Sequence, residues 1–104
     1  MTFGETIAGA RKDKGVSQRE LAMRIVKEDG AAISPKYLND IERDRRNPPG
    51  DHLLGQLAKA LDLDEDYLYF LAGKFPSDVR SKSRNPKQVA AAFKAFRRTL
   101  GGGR

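Results

Sequence analysis

The sequence predicts an all-α fold, with five short helices inside residues 1–73 and one further helix after residue 85. Two observations carry this expectation. Apolar residues recur at spacings of three and four, and no stretch alternates like a strand. Helix-start signals, a Ser, Thr, Asp or Asn followed by an acid or a proline, stand before every apolar-periodic segment except the fourth.

Thr2 with Glu5 makes a capping-box pattern, and Phe3, Ile7 and Ala10 share one face. A first helix is expected from about Phe3 to Lys14, stopped by Gly15. Ser17 with Glu20 repeats the box, and Leu21, Ala22 and Ile25 form the second buried stripe. Ser34 and Pro35 open the third helix, because Ser accepts from orphan amides and Pro loses no hydrogen bond at the first helical position. Leu38 and Ile41 face inward there, while Pro35, Lys36, Asn39, Asp40 and Arg43 form a polar ridge on the opposite side. Pro48 and Pro49 end that helix. Leu54, Leu57, Ala58 and Leu61, with Leu53 beside them, mark a fourth. Asp64 caps a fifth that holds Leu68 and Leu71 and closes at Gly73. Residues 74–84 read as a basic connector with room for one helical turn. Asn85 and Pro86 then start a C-terminal helix whose Val89, Phe93, Phe96 and Leu100 make a narrow apolar seam, ended by Gly101 to Gly103. The expected organisation is therefore a domain at 1–73, a connector at 74–84, and a C-terminal helix with a Gly-rich end at 85–104.

Composition narrows the function. With no Cys and a single His, His52, the chain has no disulfide framework, no thiolate nucleophile and no histidine cluster for a metal. No activated nucleophile or carboxylate pair emerges either, so neither an enzyme nor a cofactor is expected. No apolar run approaches the roughly 20 residues that span a bilayer, and the start, with Glu5, does not read as a signal peptide. A cytoplasmic protein without a membrane partner is expected. Charge is unevenly placed: from Lys74 onward nine basic residues stand against Asp78 alone, a net +8, leaving −2 for residues 1–73. A basic tail on a balanced front half points to a polyanion.

The stretch Lys14-Gly15-Val16-Ser17-Gln18-Arg19-Glu20-Leu21-Ala22, followed by Ile33-Ser34-Pro35-Lys36-Tyr37-Leu38-Asn39-Asp40-Ile41-Glu42-Arg43-Asp44-Arg45-Arg46-Asn47-Pro48, resembles the phage-repressor-like helix-turn-helix family. This is the lambda repressor and Cro-like, or xenobiotic-response-element, group of bacterial and phage transcription regulators. The resemblance covers roughly residues 3 to 72. It implies that the helix begun by Ser34 lies in the DNA major groove while the one begun by Ser17 crosses the backbone. Ser17 and Gln18 would then hold a phosphate. On the reading helix Lys36 suits guanine O6 or N7, Asn39 adenine N6 and N7, Asp40 cytosine N4, and Pro35 a thymine methyl. Asp40 has an equal claim as the residue that positions Lys36 or Arg43. Arg43, Arg45, Arg46 and Asn47, just after that helix, would meet the phosphate backbone. Arg11 and Glu42 resemble the family's structural pair joining the first and third helices.

Two departures stand out. Between helix 2 and the cap of helix 3 this chain has Val26 to Ile33, eight residues where relatives commonly have two; a longer helix 2 ending near Gly30 is the expected accommodation. Pro49 stands where relatives often cap helix 4 with Ser or Thr. The seam Val89, Phe93, Phe96 and Leu100 is expected to dimerise, with Tyr69, Phe70 and Phe75 extending the interface, or else to pack on its own domain. A dimer would place two recognition helices about one DNA turn, roughly 34 Å, apart. Arg80, Lys82, Arg84 and Lys87 would add nonspecific affinity. The expected function is a DNA-binding transcriptional regulator, a repressor acting as a homodimer on double-stranded DNA. The competing readings are an antitoxin whose C-terminal helix grips a protein partner, and a protein-interaction module on the same fold.

Overall fold

The computed structural model describes residues 1–82 and 85–101, and among these the chain forms seven helices: α1 (Phe3–Asp13), α2 (Gln18–Arg24), α3 (Pro35–Glu42), α4 (Asp51–Leu61), α5 (Glu65–Leu71), α6 (Ser77–Arg80) and α7 (Pro86–Leu100). Arg84 of the expected basic tail and the terminal Gly102 and Gly103 lie outside the described residues. The expected helices are all present. Both capping boxes form: Thr2 Oγ1 accepts from Glu5 N while Glu5 accepts from Thr2 N, and Ser17 and Glu20 repeat the exchange. The Ser17 bonds hold the Glu20 carboxyl below its ordinary value. Ser34 Oγ accepts from Tyr37 N, and Asp64 and Asn85 cap α5 and α7 in the same way. Gly15 and Gly73, expected as helix stops, both have positive φ. The fourth helix has Gly50 at its N-cap and so no side-chain capping bond, as the missing signal at Pro49 implied.

One core joins the first five helices. Ile7 from α1, Leu21 from α2, Leu38 and Ile41 from α3, Leu54 and Leu57 from α4 and Leu68 from α5 are fully buried, each contributing about 1.5 to 3 kcal/mol by removal from water. Tyr69, expected at a dimer interface, is buried in this core, so it is not available to a partner. α1 crosses α3 so closely that a Cβ on Gly4 would stand 2.4 Å from Ile41 O and 2.6 Å from Glu42 O. Only hydrogen fits there.

The extra residues between α2 and α3 correct an expectation. α2 ends at Arg24 rather than running to Gly30, and the chain turns back on itself in a miniature hairpin. Val26 pairs antiparallel with Ala32, Lys27 N donates to Ala31 O at 2.8 Å, and Gly30 N to Lys27 O at 2.9 Å. Gly30 sits at φ +93, a conformation that costs a side-chain-bearing residue dearly. Ile33 N then donates to Ile25 O at 2.9 Å, and both isoleucines are buried. The insertion therefore leaves and re-enters at nearly one point, so α2 and α3 keep their short corner. The hairpin leans on α4, where Gln56 Oε1 accepts from Val26 N at 3.0 Å and His52 Nε2 reaches Val26 O at 2.8 Å. These bonds satisfy both main-chain groups of Val26 outside any helix, which is why helix 2 does not continue through it.

Candidate nucleic-acid interface

The placement of α3 begins with a buried ion pair. Arg11 on α1 donates from Nε to Glu42 Oε2 at 2.6 Å and from Nη2 to Glu42 Oε1 at 3.0 Å, while its Nη1 donates to Val16 O at 2.9 Å. The Glu42 bond raises the Arg11 pKa above its ordinary value, against the opposing effect of burial. This pair welds the C-terminal end of α3 to α1 and to the turn before α2. From it a chain of bonds runs outward. Gln18 Nε2 donates to Glu42 Oε1 at 2.8 Å and to Asn39 Oδ1 at 3.1 Å, and Arg43 Nε donates to the same Asn39 oxygen at 3.3 Å. The first residue of α2 is thereby tied to the middle of α3. Both N–H groups of the Gln18 carboxamide are committed to Glu42 and Asn39, so the side chain does not offer the donor to a phosphate that the sequence led one to expect.

The outer edge of α3 faces solvent. Pro35 and Lys36 are exposed, and Asn39 and Asp40 are half-buried. Asp40 is ringed by cations: Lys36 Nζ at 3.2 Å, Arg46 Nε at 3.9 Å and Arg45 Nη1 at 4.0 Å. Its own side chain is 14% exposed, against 84% for Lys36, 61% for Arg45 and 57% for Arg46. The carboxylate thus gathers three flexible positive side chains at one end of the helix. The guanidinium of Arg46 also lies 4.9 Å from the centre of the Tyr37 ring, a cation–π contact that directs it further. Arg43 and Asn47 are exposed in and after the last turn of α3, and Ser17 is exposed at the cap of α2. The expected base-reading and phosphate-contacting residues therefore lie on α3, in the segment just after it, and at the start of α2.

The C-terminal seam lies elsewhere. Phe93 meets Phe75 with ring centres 5.8 Å apart, and Phe96 meets Phe70 at 6.2 Å. Val89, Phe93, Phe96 and Leu100 nevertheless remain between 36% and 65% exposed. Of the basic tail, Arg80 is drawn inward: with Lys74, whose Nζ lies 2.9 Å from Asp51, it pairs with the carboxylate in the first turn of α4.

Three functional supports were not legible beforehand. Asp44 takes φ +58 just past α3 and accepts from Gly4 N at 2.9 Å and from Thr2 Oγ1, capping α1 from 40 residues away. His52 and Gln56 hold the hairpin. The sole trace of the latter pair is its spacing of four on one helix face.

A family model described as helix-turn-helix matches residues 7–68. Two proteins of Mycobacterium tuberculosis, from strains CDC 1551 / Oshkosh and ATCC 25618 / H37Rv, each bearing the name uncharacterized HTH-type transcriptional regulator, are 35% identical to this chain over 82 residues. That alignment covers 79% of the chain and 54% of each relative, so the chain spans about half the length of the curated relatives it matches. No solved structure matches.

Proposed function

The chain belongs to the helix-turn-helix family, in its lambda repressor and Cro-like branch, and from that premise we propose that it regulates transcription by binding double-stranded DNA with α3 in the major groove. The observation that carries this reading is the orientation of α3. Its apolar side is sealed in the core through Leu38 and Ile41, and Arg11–Glu42 fixes its roll, so Pro35 and Lys36 are exposed and Asn39 and Asp40 half-buried on the one edge turned away from the core. Ser17 and the main-chain N–H of Gln18, with Arg43, Arg45, Arg46 and Asn47, stand where phosphates flank such a helix, and they supply the salt-dependent part of the affinity. The protein acts as a repressor by occupying its operator, and it performs no chemistry. Two copies bind together through the exposed seam of α7, each reading one half of an inverted repeat. No helix among the described residues is long and apolar enough to cross a membrane.

Selection of bound duplexes from a random pool tests the proposal. An enriched inverted repeat with half-sites about one turn apart is the expected outcome. An enriched single half-site would remove the dimer, and no enrichment at all would remove sequence-specific binding.

A further inference from the structure

Resting on that placement of α3 in the groove, we propose that its reading edge offers hydrogen-bond donors only, so that the operator contacts it makes are to acceptor-bearing bases, guanine foremost. Asn39 decides the matter. Both carboxylate oxygens of Glu42 accept from Arg11 and leave only acceptor positions, so the Gln18 atom 2.8 Å from Oε1 is the amide nitrogen. That same nitrogen lies 3.1 Å from Asn39, so the Asn39 atom facing it is the carbonyl oxygen. Arg43 Nε, which can only donate, meets that oxygen at 3.3 Å and agrees. A chain of fixed polarity thus runs from the buried ion pair to the surface and sets which way the Asn39 amide points.

The consequence falls on base recognition. Pairing of asparagine with adenine requires its oxygen to accept from N6 while its nitrogen donates to N7. The Asn39 oxygen already accepts from Gln18 and Arg43, whereas its NH2 group has no partner among the described residues. Asn39 therefore meets the groove as a donor. Asp40, the one carboxylate on this edge, is only 14% exposed, accepts from Lys36 and has Arg45 and Arg46 within 4.0 Å, so cations of its own chain rather than cytosine N4 are the partners nearest to it. Lys36 gives one N–H to Asp40 and keeps the others. Guanine, with O6 and N7 both acceptors in the major groove, is the base that such an edge fits best.

The test compares the motifs selected by the full chain and by Asn39→Asp. That substitution keeps an oxygen toward Gln18 and Arg43, replaces the outward NH2 by an acceptor and adds one negative charge, so the motif, not the overall affinity, is the readout. At the base pair whose preference it alters, the wild type is expected to select guanine, and the variant to turn toward cytosine by about tenfold in competition binding. Gln18→Leu, which leaves the 3.3 Å bond from Arg43 as the one constraint on the Asn39 amide, is expected to admit adenine at the same pair. Adenine at that pair in the wild-type motif overturns the inference while leaving the regulator reading intact. Identical motifs for wild type and Asn39→Asp also overturn it. Absence of any wild-type motif removes the placement of α3, and this inference falls with it.

Discussion

Lys36 and Arg45 carry the same charge, but their positions assign them different tasks. Lys36 stands in the first turn of α3, on the edge proposed to enter the groove, so Lys36→Ala is expected to lower discrimination between operator and random duplex by about 1 to 3 kcal/mol in competition binding. Equal losses on both DNAs would take Lys36 out of the reading set. Arg45 and Arg46 follow the helix and are more than half exposed, gathered by Asp40 rather than held by a base-facing geometry. Arg45→Ala or Arg46→Ala should weaken every duplex alike and flatten the dependence of log affinity on log salt by about one unit. A slope identical to wild type would exclude the phosphate contact. The types of these residues were legible from the chain, as was the Arg11–Glu42 pair. The direction of the Asn39 amide was not, because it depends on a hydrogen bond from Gln18, 21 residues away.

The hairpin between α2 and α3 shows what a helix pattern conceals. Its residues Val26 to Ile33 carry enough apolar character to extend α2, yet the Val26 amide goes to Gln56 on α4 instead of completing another turn. Gln56→Ala is expected to leave that half-buried N–H without its partner and to destabilise the fold by about 1 to 3 kcal/mol in denaturant unfolding. Because the two ends of the hairpin are pinned at Ile25 and Ile33, operator specificity should change little in the same variant, which selection of bound duplexes would show. A variant with wild-type stability would mean that water replaces Gln56 without loss. No periodicity marks this clamp, since an isolated bridge and a side chain 30 residues away leave no repeat in the sequence.

Across the described residues, the ring pairs Phe75–Phe93 and Phe70–Phe96 pack α7 against the domain, and its apolar face stays largely open. Phe93→Asp is expected to convert a dimer into a monomer in sedimentation while helical content is retained. Unchanged mass together with lost helicity would place the seam in an intramolecular core. The adjoining segment is tied down by charge. Asp51 accepts from Lys74, which holds its carboxyl below the ordinary value against the effect of partial burial, with Arg80 adding to the shift. A carboxyl lowered in the folded state stabilises above its unfolded pKa, and that contribution is lost as pH falls through the folded value. Wild type and Asp51→Asn should therefore differ by a constant margin near neutral pH and converge below about pH 4 in thermal unfolding. A difference that persists in acid would show that packing, not the ion pairs, holds this segment.

What the chain determined unaided is the set of helices and the family, because capping residues and apolar spacing act over three or four positions and are written contiguously. Tertiary structure alone decided the polarity of the Asn39 amide, the capping of α1 by Asp44 and the folding of Val26 to Ile33 into a hairpin. Each of those rests on a hydrogen bond between residues from different elements. Such a bond depends on where the core brings two surfaces together, which no local pattern encodes.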